Sequence, residues 1–215
     1  MTIADNLAAV RERIAHTGRD PDEITIVAVT KGFGPEVCRQ AMAAGLTILG
    51  ENRAQEAIPK IEAVPGARWH LIGHLQTNKV KMAAGLFELI HSIDSLRLAE
   101  HIARADAHQL VLVEVNVARE PQKSGIDPEH ALALAREVAG LLDLRGLMAM
   151  GPAIGDPRPA FEEVRRLRDE LQESLGTALP VLSMGMSGDF EAAVAAGSTM
   201  VRLGQLLFGP RPADH

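Results

Sequence analysis

The sequence predicts an α/β fold: a closed (β/α)8 barrel of the TIM type with one extra helix at its N-terminus. Three observations predict it. Eight short apolar runs recur along the 215 residues, stretches with helix chemistry separate them, and the residues that leave the runs are polar. Alternation of strand and helix implies a parallel sheet with right-handed crossovers. Eight such units favour closure over an open doubly wound sheet. The chain is shorter than the roughly 250 residues typical of that barrel, so the loops must be short and residues 1–215 form a single domain.

The elements follow in order. Ile3, Leu7, Val10 and Ile14 recur at helical spacing and stop near Gly18, which makes the first element an amphipathic helix. Strands are expected at 24–30, 46–49, 69–72, 87–90, 110–117, 144–148, 180–183 and 199–203. Helices are expected among the connections, at 35–44, 54–61, 127–142 and 156–175. Two of these open with Asp-Pro, at Asp127-Pro128 and Asp156-Pro157, an N-cap acid before a proline at the first helical position. Gly45, Gly85, Gly176 and Gly197 stand where a left-handed C-cap is expected. The stripe Phe161, Val164, Leu167, Leu171, Leu175 reads as the buried face of a long helix, and Cys38 as a small core residue.

Composition narrows the function classes. The balance of 22 Lys+Arg against 28 Asp+Glu gives a formal charge of -6, which argues against broad binding to nucleic acid or to an anionic membrane, so any anion site is local. One cysteine excludes an internal disulfide and suits a reducing cytosol. No secretory or membrane-spanning run stands out, and a cytoplasmic protein is expected. His70 and His74 are four apart but straddle a strand end, so they share no face and no metal site is expected.

In a barrel of this type the C-terminal ends of the strands carry the active rim. Here those exits present Lys31, then Glu51-Asn52, His74, Ser92 with Asp94, Asn116, Met150-Gly151, Ser183 with Ser187, and Arg202 with Gly204-Gln205. The last two exits are glycine-bracketed polar turns, SMGMSGDF at 183–190 and MVRLGQ at 200–205. Each opens a helical segment, with Ser187 expected as the N-cap after the seventh strand, and such turns offer backbone N–H groups to a phosphate. Lys31 ends the first apolar run. An ordinary lysine has a pKa of about 10.4, so it needs desolvation to attack an aldehyde, and the run IVAVT supplies it. A phosphate-bearing aldehyde held between amine and turns is the ligand this pattern selects, and pyridoxal 5′-phosphate is the obvious candidate.

Longer stretches carry a resemblance. AVTK around Lys31, GENRAQE from Gly50, WHLIGHLQTNK at 69–79, EVNVAREPQKSG at 114–125, RGLMAMGP from Arg145 and LSMGMSGDFEAAVAAGSTMVRLG at 182–204 together resemble the pyridoxal phosphate homeostasis proteins, single-domain relatives of the alanine racemase barrel. The resemblance implies that Lys31 carries the cofactor as a Schiff base and that Asn52 lies near it. It implies that Ser183, Ser187 and the backbone at Gly204-Gln205 hold the phosphate, and that Arg202 approaches the pyridine nitrogen. Two positions depart from the pattern, Arg53 where an aromatic residue is common and Gln205 where a threonine is common. An arginine at the ring nitrogen disfavours its protonation and blunts the ring as an electron sink.

The expected function is therefore non-catalytic binding of pyridoxal phosphate in vitamin B6 homeostasis, by a monomer whose partners are the cofactor and apo-enzymes that use it. The alternative is a pyridoxal-phosphate-dependent racemase or decarboxylase. A racemase of this barrel type needs a second acid or base, usually a tyrosine, and the chain has none. A third reading is a lysine Schiff-base aldolase or phosphosugar isomerase on the same fold.

Overall fold

The computed structural model describes residues 2–210. Helix α1 (Ile3–His16) starts with a capping box between Thr2 and Asp5 and buries Val10 and Ile14. Eight strands follow, β1 (Thr25–Val29), β2 (Ile48–Glu51), β3 (Arg68–Leu71), β4 (Leu89–Ile93), β5 (Leu110–Val115), β6 (Asp143–Ala149), β7 (Val181–Ser183) and β8 (Met200–Leu203). They pair in parallel and in sequence order, and β1 closes on β8. The ring is a closed (β/α)8 barrel preceded by one extra helix, as the alternation predicts.

The connecting helices are α2 (Pro35–Ala43), α3 (Ala54–Ala63), α4 (Val80–Ala83), α5 (Leu96–Ala105), α6 (Pro128–Ala139), α7 (Arg158–Leu175), α8 (Phe190–Ala195) and α9 (Gln205–Phe208). Their punctuation follows the sequence with small shifts. Asp127 is the N-cap of α6 and Pro128 its first residue. At α7 the Asp-Pro pair sits one residue early: Pro157 is the N-cap, and the Asp156 carboxylate accepts the Arg158 N–H at 3.0 Å. Gly45, Gly85, Gly176 and Gly197 all have positive φ, the conformation that only glycine adopts at little cost. Among the described residues no helix is long and apolar enough to cross a membrane.

Burial divides the apolar residues into two bodies. The larger lies between sheet and helices and includes Phe161, Val164 and Leu171 of α7 together with Cys38 of α2. The smaller fills the inside of the barrel with Val27, Ile48, Leu89, Leu112, Met148 and Met200. Side chains alternate across a strand, so two residues further on the same inward rows carry His91, Glu114 and Arg202. The barrel interior is thus apolar in its depth and polar toward the C-terminal mouth. β5 stops at Val115, two residues short of expectation, and two strands run two or more residues past it. β2 runs to Glu51, burying that carboxylate completely, and β4 runs to Ile93, which encloses Ser92 instead of leaving it on the rim.

Candidate functional site

Strand β1 is buried from Val27 to Val29 and delivers Lys31 to a turn at the barrel mouth, where Gly32 takes φ +77°. The half-buried Lys31 lines a cavity of about 580 Å³ together with Arg202, Ser187, Gly188, Gly204 and Gln205. Val29, Phe33, Ile72 and Met186 supply apolar wall. The rims of β1, β7 and β8 therefore converge, and five of the seven sequence-predicted residues share one cavity. A larger, more open groove of about 880 Å³ runs between α1, α2 and α9, but no charged side chain lines it. It offers a phosphorylated aldehyde neither cation nor nucleophile.

The two glycine turns differ in construction. After β8, Gly204 is the N-cap of α9, whose first N–H groups have no partner within the helix. A Cβ on Gly204 would meet the Val29 carbonyl oxygen at 3.1 Å, so the close approach of this turn to β1 favours glycine there. After β7, the N-cap of α8 is Asp189, not Ser187 as expected, and its carboxylate accepts the Met186 N–H at 2.7 Å. That arrangement leaves Ser187 on the cavity wall.

Ser183 does not belong to this wall. It is fully buried, and the Arg202 guanidinium donates from Nη1 to its carbonyl and to its hydroxyl, both at 2.7 Å. The hydroxyl also contacts His91 Nδ1 at 3.0 Å. The reason is register: Ser183 lies inside β7 on the inward row, a turn's length before the chain reaches the rim. Asn52 is also displaced. It lines a separate cavity of about 340 Å³ with Arg53, Gln55, His74, Gln76 and Lys79. His74 pairs with Asp94 at 3.1 Å.

Arg202 is 4% exposed, and its Nη2 donates to the Ala149 carbonyl at 3.1 Å. Burial lowers its pKa to about 10, with the Glu114 and Asp189 carboxylates opposing, so it remains a cation at neutral pH. Burial pushes the Glu114 carboxyl up to about 7, against the Arg202 guanidinium and with the help of Asp94. His70 Nδ1 lies 3.0 Å from His91 Nε2. Burial holds His70 down to about 4 and His91 well below its ordinary value, so both rings are neutral at pH 7.

A second buried group lies beneath Lys31. The Lys60 ammonium, reaching in from α3, donates to Glu51 Oε1 at 2.7 Å and to the Thr30 carbonyl at 2.9 Å. The Thr30 hydroxyl donates to the same Glu51 oxygen at 2.5 Å, and the Thr30 N–H bonds the Gly50 carbonyl at 3.0 Å. Every polar group of the residue before Lys31 is thereby tied down. Sequence reasoning missed this cluster and the inward histidines. A period-two count from Leu89 to His91 is the signal that finds the second histidine, and the same count from Leu112 finds the inward Glu114.

As a donor set the cavity offers an amine, a guanidinium, a hydroxyl and helix-start N–H groups, with apolar wall for a flat ring and no carboxylate in its lining. That chemistry fits an anionic, aromatic aldehyde. Comparison with known proteins bears on the chain as a whole. The family model for the alanine racemase N-terminal domain matches residues 2–212. A pyridoxal phosphate homeostasis protein of Aquifex aeolicus is 42% identical, with 98% of this chain and 99% of that one covered. One from Escherichia coli K12 is 40% identical, with 97% of each covered. Both bear the names of homeostasis proteins, not of catalysts. Among solved structures, PipY of Synechococcus elongatus with PLP bound superposes with a TM-score of 0.85 at 35% identity, covering 97% of this chain and all of that one. An alanine racemase of Clostridium difficile shares the fold alone, at 17% identity and a TM-score of 0.78, over 98% of this chain and 61% of that one.

Proposed function

We propose a function from one premise: this chain belongs to the pyridoxal phosphate homeostasis protein family, built on the alanine racemase N-terminal domain. On that premise it is a single-domain, cytoplasmic, monomeric protein that holds pyridoxal 5′-phosphate on Lys31 as a Schiff base. It buffers the cofactor for the apo-enzymes that need it. The observation that carries this reading is the convergence of Lys31, Arg202, Ser187 and the Gly204-Gln205 turn on one cavity.

When bound, pyridoxal phosphate supplies an aldehyde that condenses with an amine and a pyridine ring that can accept electrons. The residues have separate roles. Lys31, which shares the cavity with the apolar Val29 and Phe33, would hold the aldehyde carbon. Ser187 and the N–H groups that start α9 hold the phosphate. Arg202 presents a cation to the ring nitrogen and disfavours a proton there, which weakens carbanion chemistry. Asn52, which lines a separate cavity, would approach the cofactor from that side. Ser183 is withdrawn from the phosphate and acts on Arg202. The alternative of a racemase or decarboxylase has no tyrosine for the far face of the ring.

The test is the visible spectrum of the purified protein before and after borohydride reduction, with mapping of the reduced peptide. An adduct on Lys31 supports the reading, and one on Lys79, Lys81 or Lys123 overturns it. Exchange of amino-acid α-protons in heavy water, well above the free-cofactor rate and abolished by Lys31→Ala, would make the protein an enzyme.

A further inference from the structure

Four inward side chains, from β3, β4, β7 and β8, form one continuous chain inside the barrel: His70 to His91 at 3.0 Å, His91 to Ser183 at 3.0 Å, and Arg202 to Ser183 at 2.7 Å. All four residues are buried, none more than 4% exposed. The direction of the protons follows from the chemistry of the groups. A guanidinium only donates, so the Ser183 oxygen accepts from Arg202 and its single proton is left for His91 Nδ1. His91 then carries its proton on Nε2 and donates to His70 Nδ1. His70 carries its own on Nε2, a buried atom with no hydrogen-bond partner. The reverse order, with His91 donating to Ser183, strands the serine proton as well as the His70 Nε2 lone pair. One loose end is cheaper than two, because each unmet buried polar group costs the full desolvation of that group.

We infer that His70, His91 and Ser183 are positioning residues that hold the Arg202 guanidinium in a single orientation at the cavity wall. Three donors of the guanidinium are consumed, by the Ser183 carbonyl, the Ser183 hydroxyl and the Ala149 carbonyl. Its plane is thereby fixed before any ligand arrives. Glu114 on β5 and Asp189 at the start of α8 act on the same cation through space, and Arg68 and Glu88 act on His70 at the far end. Neutral rings suit this role, since a protonated histidine would repel the guanidinium, and burial keeps both rings neutral. What the fixed guanidinium then does to a bound ring rests on the proposed cofactor reading.

The experiment has a cofactor-free and a loaded arm, both on the full chain. In the first, nitrogen-15 NMR of the cofactor-free protein reads the histidine tautomers and the rotation of the Arg202 guanidinium. The expected result is an unprotonated Nδ1 and a protonated Nε2 on both His70 and His91, with separate, slowly exchanging Nη signals for Arg202. Ser183→Ala should merge those Nη signals and mix the His91 tautomers, and Ser183→Thr should preserve both. His91→Asn, which cannot reach His70 and Ser183 together, should also merge the Arg202 Nη signals and serves if Ser183→Ala fails to fold.

In the loaded arm, Ser183→Ala should speed dissociation of pyridoxal phosphate roughly tenfold, the effect of one charge-assisted hydrogen bond, and move the pH midpoint of the bound-cofactor spectrum. Ser183→Thr should stay within about twofold of wild type. Unchanged Arg202 signals in Ser183→Ala, or a protonated Nδ1 on wild-type His91, would overturn the inference. A wild-type protein with the expected tautomers that binds no cofactor would refute the cofactor reading and leave the positioning chain standing.

Discussion

Two buried polar clusters sit at the barrel mouth, and they handle charge in opposite ways. Beneath Lys31, the Glu51 carboxylate and the Lys60 ammonium meet at 2.7 Å with side chains 0% and 8% exposed, and Thr30 completes the group. The cluster is charge-paired: Glu51 Oε1 takes both the Lys60 ammonium and the Thr30 hydroxyl, Glu51 Oε2 is left buried without a hydrogen-bond partner, and Thr30 links the group to Lys31 through the backbone. Across the barrel, neutral His70, His91 and Ser183 lead to a single cation, Arg202, with Glu114 near but in no ion pair with it among the described residues. That cluster is open, and its charge faces the cavity. A buried charge that is paired stabilises geometry, whereas one held by carbonyls and hydroxyls stays available to a ligand.

The largest effect should come from Lys31, the residue that follows Thr30 of the paired cluster. Lys31→Ala should weaken cofactor binding by roughly three orders of magnitude, ~4 kcal/mol, while leaving the unfolding midpoint in urea almost unmoved. A large loss of stability would mean that Lys31 is part of the cluster, and the contrast between the two clusters would need redrawing.

Next comes the cluster itself. Lys60→Met leaves Glu51 buried beside no cation and should cost about 3–5 kcal/mol in urea unfolding, most of it recovered by adding Glu51→Leu. Recovery in the double variant separates a pairing role from a packing role. Cofactor binding, measured where both variants are folded, should weaken modestly as Thr30 loosens.

The open cluster can be read through pH. The Glu114 carboxyl is raised from 4.5 to about 7, so its contribution to stability is full below pH 4.5 and lost as pH rises through 7. His70, lowered from 6.5 to about 4, works the other way: its contribution is present above pH 6.5 and lost as pH falls toward 4. Glu114→Gln should remove the first dependence, on the order of 2–3 kcal/mol between pH 4.5 and 7, and expose the second as a steeper acid loss. Chemical denaturation at half-unit pH steps measures both. An unchanged profile would place Glu114 in water.

The smallest change is at the cavity wall. Ser187→Ala should weaken pyridoxal phosphate binding by about tenfold and leave pyridoxal binding unchanged, because the lost hydroxyl serves only the phosphate. Equal weakening for both ligands in a fluorescence titration would take Ser187 off the phosphate.

The architecture was legible because it is written in period and punctuation. All eight strands, the helix before them and the four glycine caps follow from apolar runs, Asp-Pro pairs and glycines read in order. The rim was legible for the same reason at Lys31, Ser187, Arg202, Gly204 and Gln205, each just beyond an apolar run or at its end. Ser183 was misplaced because one residue of register decides whether a side chain faces a core or a rim, and the apolar run alone does not say where the strand stops. Lys60 was hidden because the long side chain of a charged helix residue normally reads as solvated. Its spacing from Ala54 and Ala57 puts it on the buried face of α3. The tautomer chain could not be read at all, since it joins residues from four strands that only closure brings together.

Closure itself is uneven around the ring. β5 and β6 share six register pairs, whereas β7 and β8 share one, Ser183 with Met200. Hydroxyls reinforce that join: Thr199 Oγ1 accepts the Leu182 N–H at 2.8 Å, and Ser198 Oγ lies within 3.1 Å of the carbonyls of Leu182, Met184 and Met200. A closed barrel is protected from aggregation because it has no free strand edge. If the weakest join parts, two sticky edges appear at once, ready to pair with a neighbouring molecule. Backbone bonds from Met184 to Met200, Thr199 to Leu182 and Arg202 to Gly185 continue the join, and loss of the Ser198 or Thr199 hydroxyl is expected to show first as turbidity on warming.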